Sequence, residues 1–487
     1  MGLSQGEQRR CRAGCSEHRS AGEQEIALHT LWRTAATAVG ALAFAACASL
    51  PDTDALIQRH AGQTARFETA RGALSARQNA AILAQLKRKS GDIDILDKQI
   101  ALEQAVNDSP LVLGNKVTLL QDGAATYPAM FAAIRSARNH INLESYIIED
   151  DEVGRQFSDL LLAQQARGVQ VNVIYDSVGG LDTSKAFFER LRQGGIALLE
   201  FNPINPLTAK GPWMINHRDH RKLLLVDGRI AFIGGINISS VYGSGSIPGG
   251  SRKAIANTDG WRDTDLQIEG PVVSEFQKLF LQTWEKQRGH PLTAKQYFPA
   301  LQVQGQDIVR AIGSTPDDPF SLMYLTLISA IGNAEKKVHL THAYFVPDPQ
   351  LRKALVAAAG RGVDVKLILP SRSDSGLVFH AGRAHYTELL AGGVKLYERS
   401  GALLHAKTAV IDGVWSTVGS SNLDWRSFLD NDEIDAVVLG RAFAQKMEAM
   451  FASDLQTSQA IDLPGWQARP LQFRLKEWLA QLWARLL

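Results

Sequence analysis

Two short stretches carry residues able to work on a phosphodiester. One reads His220-Arg221-Lys222-Leu223-Leu224-Leu225-Val226-Asp227, the other His405-Ala406-Lys407-Thr408-Ala409-Val410-Ile411-Asp412. Both fit His-x-Lys-x-x-x-x-Asp, so the candidate catalytic residues are His220, Lys222, Asp227, His405, Lys407 and Asp412. Downstream, Gly234-Gly235-Ile236-Asn237 corresponds to Gly419-Ser420-Ser421-Asn422, and each Asn stands 17 positions after its His (237 minus 220, 422 minus 405). An imidazole can act as nucleophile or as acid and base near neutral pH. A lysine supplies a positive point charge, and Asn237, Ser420 and Asn422 supply neutral donors for the non-bridging oxygens of a phosphate. A buried ammonium needs an anion beside it. Two copies give two histidines, one to attack phosphorus and one to protonate the departing alcohol.

Strands must carry these groups. Residues i and i+2 share a strand face, so His and Lys of each copy project together. The apolar run Leu223–Val226 suits a strand buried on both faces. Asp227-Gly228 and Asp412-Gly413 read as turns into second strands, Ile230–Ile233 and Val414–Val418. The chain also repeats itself. Arg167-Gly168-Val169-Gln170-Val171 matches Arg361-Gly362-Val363-Asp364-Val365, and Gly194-Gly195-Ile196 matches Gly392-Gly393-Val394. In each half a helix (Ile134–Arg138, Ile331–Glu335) leads to a strand ending near Tyr146 or Tyr344. Alternating strands and helices predict an α/β fold with a mostly buried sheet in each half. Two copies predict pseudo-symmetric halves with the site at their interface. The expected divisions are 1–47, a signal peptide or lipobox region; 48–110, helical; 111–300 and 301–460, the two halves; and 461–487, an amphipathic helix.

Composition narrows the partners. The 487 residues are 45% hydrophobic, enough for two full cores, and 52 Lys and Arg face 50 Asp and Glu, for a formal charge of +2. That balance makes no case for nucleic acid. The cysteines Cys11, Cys15 and Cys47 all lie near the N-terminus, and no second Cys or His pair stands at zinc spacing. Thr34–Ala46 is an uncharged run of 13 residues after Arg33. As a helix it spans about 20 Å, short of a bilayer core of about 30 Å, but fits a signal-peptide apolar region. Phe44-Ala45-Ala46-Cys47 resembles a lipobox with Cys47 as the lipidated residue; a short buried or interfacial Ala-rich helix is the other reading. Near the C-terminus, Leu471, Leu475, Trp478, Leu479, Leu482, Trp483 and Leu486 recur at helical spacing, with Arg474, Lys476 and Arg485 off the stripe. That pattern fits a helix in an anionic headgroup layer or a terminal helix packed on the core.

The paired motifs with their Asn tails resemble the phospholipase D superfamily, over roughly residues 117–438. Glu144 to Gly154, His342 to Asp348 and Trp261 to Pro271 resemble its cardiolipin synthase subgroup, in the branch without two N-terminal membrane spans. The resemblance implies a duplicated α-β-α sandwich and a ping-pong route through a covalent phosphohistidine, with no metal and no cofactor. It implies His220 as nucleophile, His405 as acid and base, and an acidic residue after each motif to orient its histidine. Asp263, seven before Gly270, and Glu433, seven before Gly440, occupy those positions. His217, Arg218 and Asp219 are expected to shape the entrance. The implied partners are anionic phospholipids and a membrane surface, not nucleic acid: phosphatidylglycerol would donate to a second phospholipid alcohol. The implied place is the bacterial cell membrane, peripheral or lipid-anchored and facing the periplasm. A phospholipid-hydrolysing phosphodiesterase, a periplasmic nuclease and a non-catalytic lipid-binding adaptor are the competing readings.

Overall fold

The computed structural model describes residue 55 and residues 66–90, 109–209, 213–243, 260–292 and 295–486. The run 1–47 with its cysteines, and much of 48–110, lie outside the described residues. Within Leu50–Leu487, one compact unit, two sheets repeat a single plan. In the first half the strands lie side by side in the order Leu111–Gln121, Thr264–Glu269, Ile230–Gly234, Lys222–Val226, His140–Ser145, Gln170–Asp176, Ala197–Phe201. In the second half the order is Asp307–Ser314, Asn431–Leu439, Trp415–Gly419, Lys407–Ile411, Lys337–His342, Asp364–Pro370, Lys395–Arg399. The last three strands of each sheet run parallel and the rest antiparallel.

Local chemistry explains the elements. Helix Glu152–Ala166 starts where the Asp151 side chain accepts from the Gly154 amide, and Lys185–Gln193 where Ser184 accepts from Phe187. The repeated Arg-Gly-Val joints work because Gly168 and Gly362, at φ +89° and +90°, take the left-handed conformation that ends a helix before the next strand. Leu223 and Leu225 enter a middle core that also holds Val410, Ile434 and Ala436 of the second half, while Leu224 and Val226 enter the outer core of the first. Helices Val273–Lys286 and Arg441–Gln456 fill that shared middle layer. Each sheet is therefore buried on both faces, which is why its motif strand is wholly apolar or small beyond the lysine.

The 48–110 region is not helical throughout. Ala76–Ser90 is a helix, but Phe67–Thr69 is a strand paired in parallel with Leu111 and Val112. Phe67 drives this, being fully buried against Leu86, Leu111 and the core of the second half.

Candidate active site

Each motif histidine is delivered by a short parallel pairing with the other half. Arg218–Asp219 pairs with Asn431–Asp432, and Leu403–Leu404 pairs with Trp261–Arg262. The His220 amide donates to the Asp432 carbonyl at 2.9 Å, and the His405 amide to the Arg262 carbonyl at 2.8 Å. One residue further along each partner segment stands a buried carboxylate. His220 Nδ1 lies 3.1 Å from both Glu433 oxygens, and His405 Nδ1 lies 2.7 Å from Asp263 Oδ2. The acid following one motif thus holds the histidine of the other motif, a correction to the within-half pairing. The physical reason is that Trp261–Arg262 and Asn431–Asp432, just before the two acids, pair with strands of the other half.

Electrostatics mark the place as one built for an anion. Both imidazoles, both lysines and both acids are buried. Lys222 Nζ donates to the His220 carbonyl and Lys407 Nζ to the His405 carbonyl, each at 2.5 Å; Lys407 Nζ is also 3.0 and 3.1 Å from the two ring nitrogens of His405. Burial pushes Lys222 down to about 7 and Lys407 down to about 8, and Glu433 up to about 7. Burial also holds His220 well below the usual imidazole range, and Lys222, Lys407 and His405 add to the effect. His405 is lowered by burial and Lys407, against the pull of Asp263. The charges of both motifs thus act on one another, and an oxyanion among them restores the ammonium forms. Because the free lysines lose their protons between about pH 7 and about pH 9, affinity for a phosphate mimic should fall at least about tenfold over that interval. Calorimetric titration with tungstate checks this; a pH-independent Kd would contradict it.

Aromatic side chains that the motif pattern passes over complete the walls. Tyr146 lies 5.1 Å from the His220 ring and Lys222 Nζ lies 5.3 Å from the Tyr146 ring centre. Trp261, Tyr242 and Tyr344 stand 5.0, 5.6 and 6.2 Å from the His405 ring, and the Tyr242 hydroxyl is 3.4 Å from His405 Nδ1. Tyr146 and Tyr344 were visible in the sequence as matching landmarks after corresponding strands, but nothing in their spacing said that they face the histidines. Arg426 also acts on His220, and no periodicity singles it out.

Several expected site residues do other work. Asp227 and Asp412 belong to the motif but not to the site. Asp227 accepts from the backbone amides of Arg138, Asn139 and His140, and Asp412 from those of Glu335, Lys336 and Lys337. With φ of +54° and +51° they make the turn after the motif strand and clamp the start of its neighbour. Asp227→Ala should cost about 1–3 kcal/mol of stability, seen as a lower Tm, with kcat nearly unchanged; a large loss of kcat in folded protein would contradict this. Asn237 is committed as well: its side chain accepts from the Ile147 amide and donates to the Tyr242 hydroxyl at 2.8 Å. Ser420 donates to Glu433 Oε2 at 2.5 Å, so it supports the acid that holds His220. Gly235, its counterpart, stands where a Cβ would approach Asp263 Oδ1 to 2.2 Å. Asn422 keeps a buried side-chain oxygen without a hydrogen-bond partner.

His217, Arg218 and Asp219 are buried supports rather than an entrance. His217 Nε2 lies 2.9 Å from Asp432, and Arg218 donates to the Ser177 hydroxyl. Asp432 is held at about 2, against the effect of burial, by Arg221 and His217. Arg221 turns away from its motif neighbours, donating to the Glu433 carbonyl, Thr283 and the Ser314 carbonyl.

A duplicated sheet plan with two histidine–lysine pairs meeting across the halves defines a phospholipase D-like protein. The family model described as "Cardiolipin synthase, PLD-like domain" matches residues 130–242 and 327–455, one stretch around each motif. A cardiolipin synthase of Alkalihalophilus pseudofirmus is 34% identical over 83% of this chain and 78% of its own length. Cardiolipin synthase A of Pseudomonas entomophila is 37% identical over 72% and 71%. The chain belongs to the cardiolipin synthase family, phosphatidyltransferases of the phospholipase D superfamily. In fold it is also similar to phosphatidylserine synthase of Haemophilus influenzae Rd KW20, at a TM-score of 0.55 and 14% identity, over 80% of this chain and 98% of that one.

Proposed function

We propose that this phosphatidyltransferase makes cardiolipin from phosphatidylglycerol and a second phospholipid alcohol by way of a phosphohistidine on His220. Glu433 accepts a hydrogen bond from Nδ1–H, so the lone pair sits on Nε2 and the imidazolium formed in the reaction is stabilised. Nε2 attacks phosphorus, the bond to the glycerol oxygen breaks, and His405, protonated once the anionic phosphate joins Asp263 beside it, gives that oxygen its proton. Glycerol leaves. The hydroxyl of the second lipid then passes its proton to the neutral His405 and attacks the same phosphorus, releasing His220. Lys222 and Lys407 neutralise the non-bridging oxygens throughout. The observation that carries this reading is the crossed pair of imidazole–carboxylate contacts, which supports two histidines serving one phosphate. Four aromatic rings around the imidazoles suit transfer over hydrolysis, since a dry wall disfavours water as acceptor. Lipidated Cys47 would hold the enzyme at the periplasmic side of the membrane. The test is the lipid extract of a synthase-deficient bacterium expressing wild type, His220→Ala or His405→Ala. Cardiolipin in the wild type alone supports the proposal; phosphatidic acid without cardiolipin would move the reading to a hydrolase.

A further inference from the structure

The C-terminal helix Leu471–Gln481 packs the wrong way round for a core helix. It rests on the protein through Glu477 and Ala480, the two residues it buries. Ala480 meets Val346 and Ala381, and Glu477 pairs with Arg469. At 3.6 residues per turn, the stripe of Leu471, Leu475, Trp478 and Leu482 is centred roughly 140° or more from that buried edge. Leu475 is 55% exposed, Trp478 57% and Leu482 63%. Arg474, Lys476 and Arg485 are exposed, and the one acid of the stretch, Glu477, is buried. Eleven residues are too few to cross a bilayer, and among the described residues no helix is long and apolar enough to do so.

This helix is joined to the rim of the site. Ala381 belongs to helix Gly376–Arg383, which follows Asp374, and the Tyr344 hydroxyl donates to Asp374 at 2.8 Å. Arg485 stands 5.7 Å from the ring of Trp425, which opens the short helix Trp425–Leu429 before Glu433. The first half raises an apolar rim at the corresponding strand ends. Leu181 is 63% exposed, Leu207 92% and Ile215 65%. Their loops follow strands Gln170–Asp176 and Ala197–Phe201, parallel to the strand that leads to Tyr146, and the second runs on to His217 and His220.

We infer that the helix and the first-half rim form one docking surface for a bilayer containing anionic lipid, with the catalytic mouth between its two sides. An outward apolar stripe edged only by cations fits acyl chains beneath an anionic headgroup layer. The inference deepens the phospholipid reading above by giving the route of the substrate: a lipid enters from the plane on which the protein rests.

The test is co-sedimentation of the full chain, carrying Cys47→Ser to remove the acyl site, with phosphatidylcholine vesicles with and without phosphatidylglycerol. Wild type should bind the anionic vesicles more tightly. Leu475→Asp/Leu479→Asp and Leu207→Asp/Ile215→Asp should each weaken partition about tenfold or more while leaving the unfolding transition in place, and Arg474→Glu/Lys476→Glu should abolish the preference for anionic lipid. Wild-type partition by either aspartate pair would overturn the two-sided surface. So would a wild type that ignores vesicles but forms an oligomer that Leu475→Asp/Leu479→Asp dissociates. Partition is read without turnover, so its failure leaves the catalytic proposal standing.

Discussion

His220→Ala should lower turnover by about 10⁴-fold or more and leave no covalent intermediate. His405→Ala should also lose turnover, by about 10²- to 10⁴-fold, but for a different reason that can be read separately. Its nucleophile and Glu433 remain, so a phosphatidyl donor whose leaving group needs no proton, such as a nitrophenyl ester, should still load His220. The adduct should then persist, because no base deprotonates the incoming alcohol. Mass spectrometry of the peptide around residue 220 after acid quench measures it. Adduct on the second-half peptide, or adduct formation by His220→Ala, would reverse the assignment. The expectation rests on the lowered basicity of His220, which keeps it neutral and nucleophilic at pH 7 among Lys222, Lys407 and His405.

The second large effect should run crosswise between the halves. Glu433→Gln should behave as a weakened His220 enzyme, and Asp263→Asn as a weakened His405 enzyme, each losing about 10³-fold or more in kcat. Only Asp263→Asn should be rescued by the activated donor. Adding Glu433→Gln to His220→Ala should cost little more, because the carboxylate acts through the ring 3.1 Å away. Loss of adduct in Asp263→Asn with normal loading in Glu433→Gln would contradict the crossed contacts. The amide in place of each carboxylate preserves size, so a merely structural role would show as a lower Tm without this split.

The sheet plan was legible because its signals are local. A run of four apolar residues after His-x-Lys means a strand with two buried faces, and Asp-Gly at its end means a turn. The repeated Arg-Gly-Val joints fixed the duplication through a backbone requirement for glycine. The crossed pairing was not legible, since counting seven residues back from a glycine locates an acid along the chain but not the sheet edge it reaches. The placing of Asp227 could have been foreseen: seven residues of strand at about 3.3 Å each set it roughly 20 Å from His220. The aromatic wall escaped because Tyr146, Tyr242, Trp261 and Tyr344 come from four separate segments, Tyr242 from the short 3-10 helix Ser240–Tyr242, and share no period. The C-terminal stripe was legible as amphipathic, but the choice between inward and outward facing depended on the small contact made by Ala480.

Two imidazole–ammonium pairs from different halves should close on one phosphorus. A crystal structure of the protein with tungstate or vanadate tests it most directly. A single oxyanion should bind, with His220 Nε2 and His405 Nε2 on opposite sides of its central atom and both lysine ammoniums on its oxygens. Two separate anions, or one anion touching a single motif, would contradict it.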